Sequence, residues 1–336
     1  MVSMKDISEQ CGVSVATVSK ALNGRQDISQ QTRERVLEVA KHLGYVPNSS
    51  ARALKLNRTY NIGVLFADKA NSGLTHSYFS PVLDGFRLGV EQEGYDMTFL
   101  GRNVARNKLS YYEHSIYRGV DGVVAACVDF ETEEIRELVR SDIPVVTIDY
   151  IFTDRTCVLS DNIHGMEQLV SYIIQCGHRK IAYIHGADSF VTRNRVGSFQ
   201  RTMRRLGVEP EERYMKEGVY HAPDVSAELT EELLSLADRP TCIIYPDDFS
   251  CIGGVNVIRN HGLTIPGDIS VAGYDGQRIA RVMEPRITTY QQNTEEIGKV
   301  AARKLIELIE QPDIALIERV DVRGELIQGK SVRSMG

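Results

Sequence analysis

The sequence predicts a small all-α headpiece followed by a larger α/β region that folds as two similar lobes around parallel sheets. The first 45 residues contain only short helical patterns. From residue 59 onward, short β-rich runs alternate with amphipathic stretches, which is typical of a doubly wound parallel sheet. About 275 residues of this alternation exceed the usual size of one hydrophobic core, so two lobes are expected, with a boundary near Asp161 and Asn162.

The headpiece is expected to hold three helices, over Met4–Cys11, Val15–Asn23 and residues 31–43. Gly12 can adopt the left-handed turn between the first two, and Ser14 can cap the second. The apolar positions that face inward are Ile7, Val13, Val18, Leu22, Val36, Val39, Ala40 and Leu43. Two helices joined by a tight glycine turn form the helix-turn-helix arrangement, whose second helix enters the major groove of DNA. A solvated surface helix in a small α-domain is the alternative interpretation.

The second helix carries candidate base-contacting side chains. At its start, Val15, Ala16 and Thr17 offer methyl groups and a hydroxyl to base edges. Further candidates at the following turns are Ser19, Lys20 and Asn23. Of these, the ammonium group of Lys20 is the best suited to guanine acceptors.

The charge is segregated along the chain in a way that favours a polyanion at the N-terminal end. The first 58 residues carry nine Lys or Arg and five Asp or Glu, whereas the rest carries 30 and 40, within an overall net charge of -6. A basic headpiece on an acidic body attracts nucleic acid to the headpiece.

Residues 46–58 are expected to form a hinge helix or linker. Pro47 ends the preceding helix. In a short helix after it, Ala51 and Leu54 share one face and Lys55 lies beside them. Such a segment can order on DNA and insert Leu54 as a wedge into the minor groove. A plain interdomain linker is the alternative.

The α/β region places polar side chains where its predicted strands end. The strands are expected near residues 62–66, 96–101, 122–126, 144–148, 180–185, 241–245 and 269–273, with a helix over 81–94. Asp149, Asp247 and Asp275 follow strands, and Arg195 opens the helix after 180–185. Because the carboxyl ends of parallel strands meet at one edge, these groups are expected to converge on one cleft. Carboxylates and a guanidinium suit the hydroxyl groups of a neutral polyol.

Several function classes are excluded by missing features. The six cysteines are far apart and form no C-x-x-C pair, so neither a metal site nor a disulfide framework is expected. No signal-peptide pattern or long apolar run is present, which predicts a cytoplasmic protein and argues against a secreted solute receptor and a membrane partner. Because there is no phosphate loop or nucleophile elbow, neither an enzyme nor a cofactor is expected.

A run of motifs in order resembles the lactose/galactose repressor (LacI/GalR) family over nearly the whole chain. The motifs are MKDI at 4–7, GVSVATVSK at 12–20, GYVPN at 44–48, ARAL at 51–54, VDG at 120–122, GHRKI at 177–181, PGDISV at 266–271 and GYD at 273–275. The resemblance implies a core like that of periplasmic sugar-binding proteins, with two Rossmann-like subdomains, and a homodimer on a near-palindromic DNA operator. No leucine heptad follows residue 330, so no C-terminal tetramerisation helix is expected.

The resemblance also implies where the chain crosses between lobes and which residues bind the effector. Crossings near residues 161, 291 and 322 give one lobe from 59–161 with 292–322, and another from 162–291 with 323–336. The implied effector contacts are Arg195, Asp247 and Asp275, a stacking ring at Tyr220, and the aromatic pair Tyr78 and Phe79. Leu74 and His76 are further lining candidates.

Two positions depart from the family pattern. Many relatives carry Asn at the position of Asp247, and a second carboxylate there favours a donor-rich or amino-bearing ligand. The position of Lys20 is often Arg in relatives, which leaves the operator sequence open.

The expected function is a transcriptional repressor controlled by a small polyhydroxylated effector, a sugar or sugar derivative. The alternative is a global regulator of the same family that responds to a protein partner or corepressor.

Overall fold

The computed structural model describes residues 2–25, 27–46, 58–67, 73–104 and 107–335. The chain divides into two compact units, residues 1–59 and residues 60–336.

The first unit contains three helices, α1 (Met4–Cys11), α2 (Val15–Leu22) and α3 (Gln30–His42), each within one residue of its predicted bounds. Helix α1 begins at a capping box formed by Ser3 and Asp6 and ends at Gly12, whose φ of 62° is left-handed. The Ser14 hydroxyl accepts a hydrogen bond from a backbone N–H of α2, as its sequence position predicts. The buried core is small and consists of Ile7, Cys11, Val18, Ala21, Val36 and Ala40.

The second unit alternates strands and helices along its whole length. In chain order its elements are β1 (Asn61–Phe66), α4 (Phe79–Gln92), β2 (Asp96–Phe99), β3 (Asn103–Val104), β4 (Asn107–Lys108), α5 (Tyr111–Arg118), β5 (Gly122–Ala126), α6 (Glu133–Arg140), β6 (Val145–Ile148), β7 (Thr156–Ser160), α7 (Asn162–Gln175), β8 (Ile181–His185), α8 (Phe190–Arg205), β9 (Met215–Glu217), α9 (Pro223–Leu234), β10 (Cys242–Ile244), α10 (Asp248–Asn260), β11 (Ser270–Asp275), α11 (Arg278–Val282), β12 (Thr288–Gln291), α12 (Thr294–Glu310), β13 (Arg319–Val322) and β14 (Glu325–Ile327). Single turns of 3-10 helix lie at Gly73–Thr75 and Glu212–Tyr214.

The first lobe is built on a parallel sheet with strand order β13-β7-β6-β5-β1-β2. Helices α4 and α12 cover one face and α5 and α6 the other. Helices α4 and α12 approach closely through glycines, because a Cβ on Gly85 would lie 2.2 Å from the backbone oxygen of Glu295, and one on Gly298 would lie 2.1 Å from that of Val82. The first lobe therefore depends on a helix that comes late in the chain.

The second lobe has a sheet of order β14-β12-β11-β10-β8-β9, in which only β14 runs antiparallel to its neighbour. Helices α7 and α8 pack on one face and α9 and α10 on the other. Together with the headpiece, these sheets confirm the predicted fold class of a helical headpiece and a two-lobed parallel α/β core.

Within residues 107–335 the chain passes between the two sheets three times. It leaves the first sheet after Ser160, returns after Gln291, and leaves again after Val322. Both lobes are therefore discontinuous in sequence, and side chains near these crossings lie between the lobes.

Candidate functional site

The start of α2 presents small side chains to solvent. Val15 is 43% exposed and Ala16 is also exposed, while Thr17 is half-buried. The Thr17 backbone N–H donates to the Ser14 hydroxyl oxygen at 3.1 Å, and the two hydroxyl oxygens lie 2.9 Å apart. The methyl groups of the first turn are thus available to a partner, whereas the Thr17 hydroxyl is engaged with the helix cap.

The polar side chains later in α2 have partners within the headpiece. The Lys20 ammonium lies 2.6 Å from a carboxylate oxygen of Asp27, and this hydrogen bond lowers the pKa of Asp27. The Asn23 amide donates to the backbone oxygen of Ser19 at 2.6 Å. Because the Lys20 pair is about half exposed, its exchange for a DNA partner costs little. The predicted hinge residues Ala51, Leu54 and Lys55 lie outside the described residues.

In the first lobe, Tyr78 and Asp149 form a hydrogen-bonded pair. The Tyr78 hydroxyl donates to Asp149 Oδ2 at 2.7 Å, and the Ser160 backbone N–H donates to Asp149 Oδ1 at 3.3 Å. Burial raises the pKa of both Tyr78 and Asp149. Asp149 follows β6 with a left-handed φ of 60°, and Tyr78 occupies the N-cap position of α4.

Phe79 lies in the core rather than beside open space. Its ring packs edge-on against Phe66 at 5.8 Å and against His76 at 5.0 Å between centroids. The His76 ring also receives hydrogen bonds at Nδ1 from the backbone N–H groups of Tyr78 and Phe79, each at 3.3 Å. His76 therefore fixes the start of α4.

Arg195 is the central side chain among those that the second lobe contributes to the candidate site. It is 3% exposed, and its Nε donates to Asn162 Oδ1 at 2.7 Å while Nη1 donates to the Pro246 backbone oxygen at 3.2 Å. The guanidinium carbon lies 3.8 Å from the centroid of the Tyr274 ring, a close cation-π contact. These contacts fix the guanidinium at the first crossing between the lobes.

Asp275 ends β11 beside this guanidinium. One of its oxygens lies 3.9 Å from Arg195 Nη2 and accepts from the Gln292 side-chain amide at 2.5 Å, and the other accepts from the Gln277 amide at 3.1 Å. Burial raises the pKa of Asp275 and the charge of Arg195 opposes that shift. A left-handed φ of 100° at Asp275 shows that the chain turns sharply here.

Asp247 is fully buried, and its oxygens are taken by protein donors. Oδ1 accepts from the Ser250 backbone N–H at 2.8 Å, and Oδ2 accepts from the Ser250 hydroxyl at 2.9 Å and the His221 backbone N–H at 2.8 Å. The side chain thus caps α10 and anchors the loop that carries His221. Because this carboxylate is fully buried, serves protein donors and does not line the cavity, the structure gives no support to the inference from Asp247 to an amino-bearing ligand.

The Tyr220 ring packs against the backbone immediately after the end of β8. A Cβ on Gly186 would lie 2.1 Å from the Tyr220 ring, so only glycine allows this packing. The Tyr220 hydroxyl lies 3.0 Å from the Thr192 hydroxyl, and its ring centroid lies 5.6 Å from the Arg195 guanidinium carbon. The predicted stacking ring therefore lies in the same cluster as Arg195.

A contact between the lobes joins two histidines. The rings of His76 and His221 meet edge-on with centroids 4.4 Å apart, and His221 Nδ1 lies 3.7 Å from Asp247 Oδ1. The sequence pattern offered His76 only as a general lining candidate and gave no signal for His221. Neither histidine belongs to a periodic sequence pattern from which a contact with the other lobe could be predicted.

A cavity of about 540 Å³ borders this network. Of the predicted effector residues, Tyr78 and Asp275 line it, whereas Phe79, Asp149, Arg195, Tyr220 and Asp247 do not. Gln277, Gln291 and Gln292 also line it, together with Arg278 and Arg281. Its volume is in the range of small-molecule sites. The structure thus brings most of the predicted polar groups together, with two of them at the cavity wall.

Two further features bear on the class of protein. No helix in the described part of the chain is long and apolar enough to cross a membrane. Among residues 2–25, 27–46, 58–67, 73–104 and 107–335, no three His, Cys, Asp or Glu side chains are grouped so that they could hold a metal ion.

Comparison with known proteins gives matches over the whole chain. Residues 3–48 match bacterial regulatory proteins of the lacI family, and residues 170–332 match the periplasmic binding protein-like domain. The probable HTH-type transcriptional repressor ExuR of Bacillus subtilis (strain 168) is 30% identical over 339 residues, covering 100% of this chain and 99% of that protein.

Two solved structures show the same fold. The lac repressor dimer bound to operator and the anti-inducer ONPF has a TM-score of 0.83 at 22% identity, covering 99% of each chain. The complex of the transcriptional regulator CelR with cellobiose has a TM-score of 0.69 at 24% identity, covering 98% of this chain and 100% of that one. The chain therefore belongs to the lacI family of bacterial regulatory proteins, as a non-enzymatic transcriptional repressor with an N-terminal DNA-binding domain and an effector-binding domain.

Proposed function

We propose that this protein binds a near-palindromic operator as a cytoplasmic homodimer, and that a small polyhydroxylated effector, a sugar or sugar derivative, controls its operator affinity from between the two lobes. The observation that carries the proposal is the network of Tyr78, Asp149, Arg195 and Asp275, which the two lobes contribute jointly beside a cavity.

The headpiece supports the DNA part of the proposal. Helix α2 exposes the methyl groups of Val15 and Ala16, which suit contacts with thymine methyls in the major groove. Lys20 exchanges Asp27 for a guanine or a phosphate when DNA is present. The hinge residues Ala51, Leu54 and Lys55 are proposed to contact the minor groove, with Leu54 as the wedge.

The polar chemistry between the lobes supports a hydroxyl-rich effector. Asp275 accepts hydrogen bonds and the Arg195 guanidinium donates them, so adjacent hydroxyl groups of one ligand can be divided between them. Tyr220 adds an aromatic ring beside this pair, which suits the C–H face of a sugar. The cellobiose complex of the structurally similar CelR is consistent with this chemistry.

Large apolar side chains on the surface of both lobes support the homodimer. Phe99, Ile116 and Tyr117 are exposed on the first lobe, and Phe249 and Val282 on the second. Exposed apolar side chains of this size are typical of protein interfaces. The lac repressor structure is that of a dimer bound to operator.

Regulation follows if the effector and the operator favour different arrangements of the two lobes. A ligand shifts an equilibrium between two states only by its difference in affinity for them. A ligand held by residues of both lobes meets this condition, because any movement of one lobe changes its contacts.

The proposal is tested by thermal melting of the full-length protein against a sugar panel, followed by operator titration with each sugar that raises the melting temperature. A true effector stabilises the folded protein and changes its operator affinity. If no sugar does either, the alternative of a protein partner or other corepressor takes its place. Deletion of residues 1–58 is expected to abolish operator binding and leave the melting shift intact.

A further inference from the structure

The ion pair between Lys20 and Asp27 lies on the same side of α2 as a small side chain that is proposed to meet base edges. Ala16 and Lys20 are four residues apart on α2, so they share one face of the helix, and both are exposed. The Asp27 carboxylate lies 2.6 Å from the Lys20 ammonium. If α2 enters the major groove, Asp27 therefore enters it beside Lys20.

The loop between α2 and α3 holds Asp27 in this position. Gly24 turns the chain after α2 with a left-handed φ of 68°, and the next backbone N–H donates to the Lys20 backbone oxygen at 3.0 Å. On the other side of Asp27, Ile28 packs against the headpiece core and Ser29 caps α3. Asp27 thus lies between two anchored points of the loop.

Both members of the ion pair can form further hydrogen bonds. The side chain of Lys20 is 49% exposed and that of Asp27 is 56% exposed. The ammonium group has three N–H donors, and both oxygens of an ionised carboxylate accept. The hydrogen bond from Lys20 lowers the pKa of Asp27, so this carboxylate is ionised at neutral pH and acts only as an acceptor.

A G·C base pair offers a partner to each of these groups. In the major groove, guanine presents the acceptors O6 and N7, and its paired cytosine presents the N4 amino group as a donor. When Lys20 exchanges Asp27 for guanine, the carboxylate loses its cation among the phosphates of DNA. A donor is then needed to replace that cation, because an ionised acceptor without a partner is unfavourable. The cytosine amino group is the donor of the base pair that Lys20 contacts.

We propose that Lys20 and Asp27 read one G·C base pair together, with the Lys20 ammonium donating to guanine and the Asp27 carboxylate accepting from the cytosine N4 amino group. Asp27 is then a specificity-determining residue of the headpiece. This inference rests on the proposed function, because it requires the contact between Lys20 and guanine in the major groove.

The experiment begins with selection of operator sites from a random DNA library by the full-length protein. The base pair that Lys20 reads is the position at which Lys20→Ala no longer prefers guanine. At this position, cytosine is replaced in each half-site by pyrimidin-2-one, which pairs with guanine but lacks the N4 amino group. The wild type is expected to bind this duplex about 10-fold more weakly for each half-site.

Asp27→Ala provides the specific variant and Glu9→Ala the matched control. Glu9 lies on α1 and is 68% exposed, so its replacement removes the same charge from another part of the headpiece. Asp27→Ala is expected to bind the unmodified and modified duplexes equally, because it has no carboxylate to accept from cytosine. Glu9→Ala is expected to keep the full difference between the two duplexes, and both variants are expected to melt at the wild-type temperature.

The outcomes separate this inference from the proposed function. If the wild type binds both duplexes equally, or if Asp27→Ala distinguishes them as strongly as the wild type, Asp27 does not read cytosine, while the contact between Lys20 and guanine stands. If Lys20→Ala selects the same sites as the wild type, the contact with guanine is rejected, and the role of Asp27 is rejected with it.

Discussion

Replacement of Arg195 by lysine tests whether the guanidinium fork, rather than its charge, organises the site. Lysine keeps a positive charge near Asp275 but reaches at most one of the two acceptors that Arg195 now serves, Asn162 Oδ1 and the Pro246 oxygen. One charge-assisted hydrogen bond at a position only 3% exposed contributes about 1.5–3 kcal/mol. Loss of the cation-π contact with Tyr274 adds about 0.5–2 kcal/mol, for a total of about 2–5 kcal/mol.

This loss in the free energy of unfolding is measured by urea unfolding of the full-length protein. Unfolding is detected by tyrosine circular dichroism, because the chain contains 15 Tyr and no Trp. Arg193→Lys is the control on the same helix, since Arg193 is 68% exposed and forms only a surface ion pair with Asp188. Its effect is expected to stay below about 0.5 kcal/mol. If Arg195→Lys unfolds at the same urea concentration as Arg193→Lys, the hydrogen bonds of the Arg195 guanidinium do not stabilise the folded protein as expected.

Three further predictions concern single side chains. Lys20→Ala is expected to lower operator affinity by about 1–3 kcal/mol with a smaller effect on a scrambled duplex, and an equal loss on both would assign Lys20 to phosphate. Asp275→Asn is expected to weaken the effector about 10- to 150-fold and to leave operator affinity without effector unchanged; a response at the wild-type effector concentration would remove Asp275 from the site. Burial, and next the charge of Asp275, raise the pKa of Asp248, so the folded state holds this proton more tightly than the unfolded state. Stability conferred by that proton is therefore lost as pH rises from about 4. The stability advantage of Asp248→Asn over wild type should grow over this range by at most about 1.4 kcal/mol per pH unit. A constant difference between the two proteins in urea unfolding between pH 4 and 8 would contradict the raised pKa of Asp248.

The headpiece and the alternating core could be predicted because their signals are local. Ser14 and Gly12 mark helix ends through their own backbone preferences, and buried strands such as β1, β5 and β8 appear as short β-rich runs. Strands β7 and β12 are also buried, but the sequence pattern did not predict them. Strands β9, β13 and β14 are only three or four residues long and partly exposed, so they gave no such run. Their pairing is decided by neighbours that are distant in sequence.

The site could be predicted only in part, because some of its contacts follow from local sequence patterns and others join residues that are distant in sequence. Asp149 of the first lobe lies close enough to Arg195 and Asp275 of the second to interact electrostatically with both, because each residue follows a strand of a parallel sheet, as the sequence pattern predicts. The role of Asp247 depends partly on the His221 backbone N–H, a donor 26 residues away in sequence that no local pattern reveals. Its other role, as the cap of α10, was visible in the sequence, because Ser250 follows three positions after Asp247. The His76–His221 contact joins two lobes and has no counterpart in any local pattern.

The late position of α12 and β13 has a consequence for synthesis on the ribosome. The first six strands emerge long before α12, yet the glycine-lined face of α4 has no cover until α12 arrives. At roughly 5–20 residues per second, this nascent half-lobe waits on the order of ten seconds or more with apolar surface open to water. Translation therefore finishes almost completely before either lobe can close its core, and the interval exposes the growing chain to aggregation and to chaperone capture.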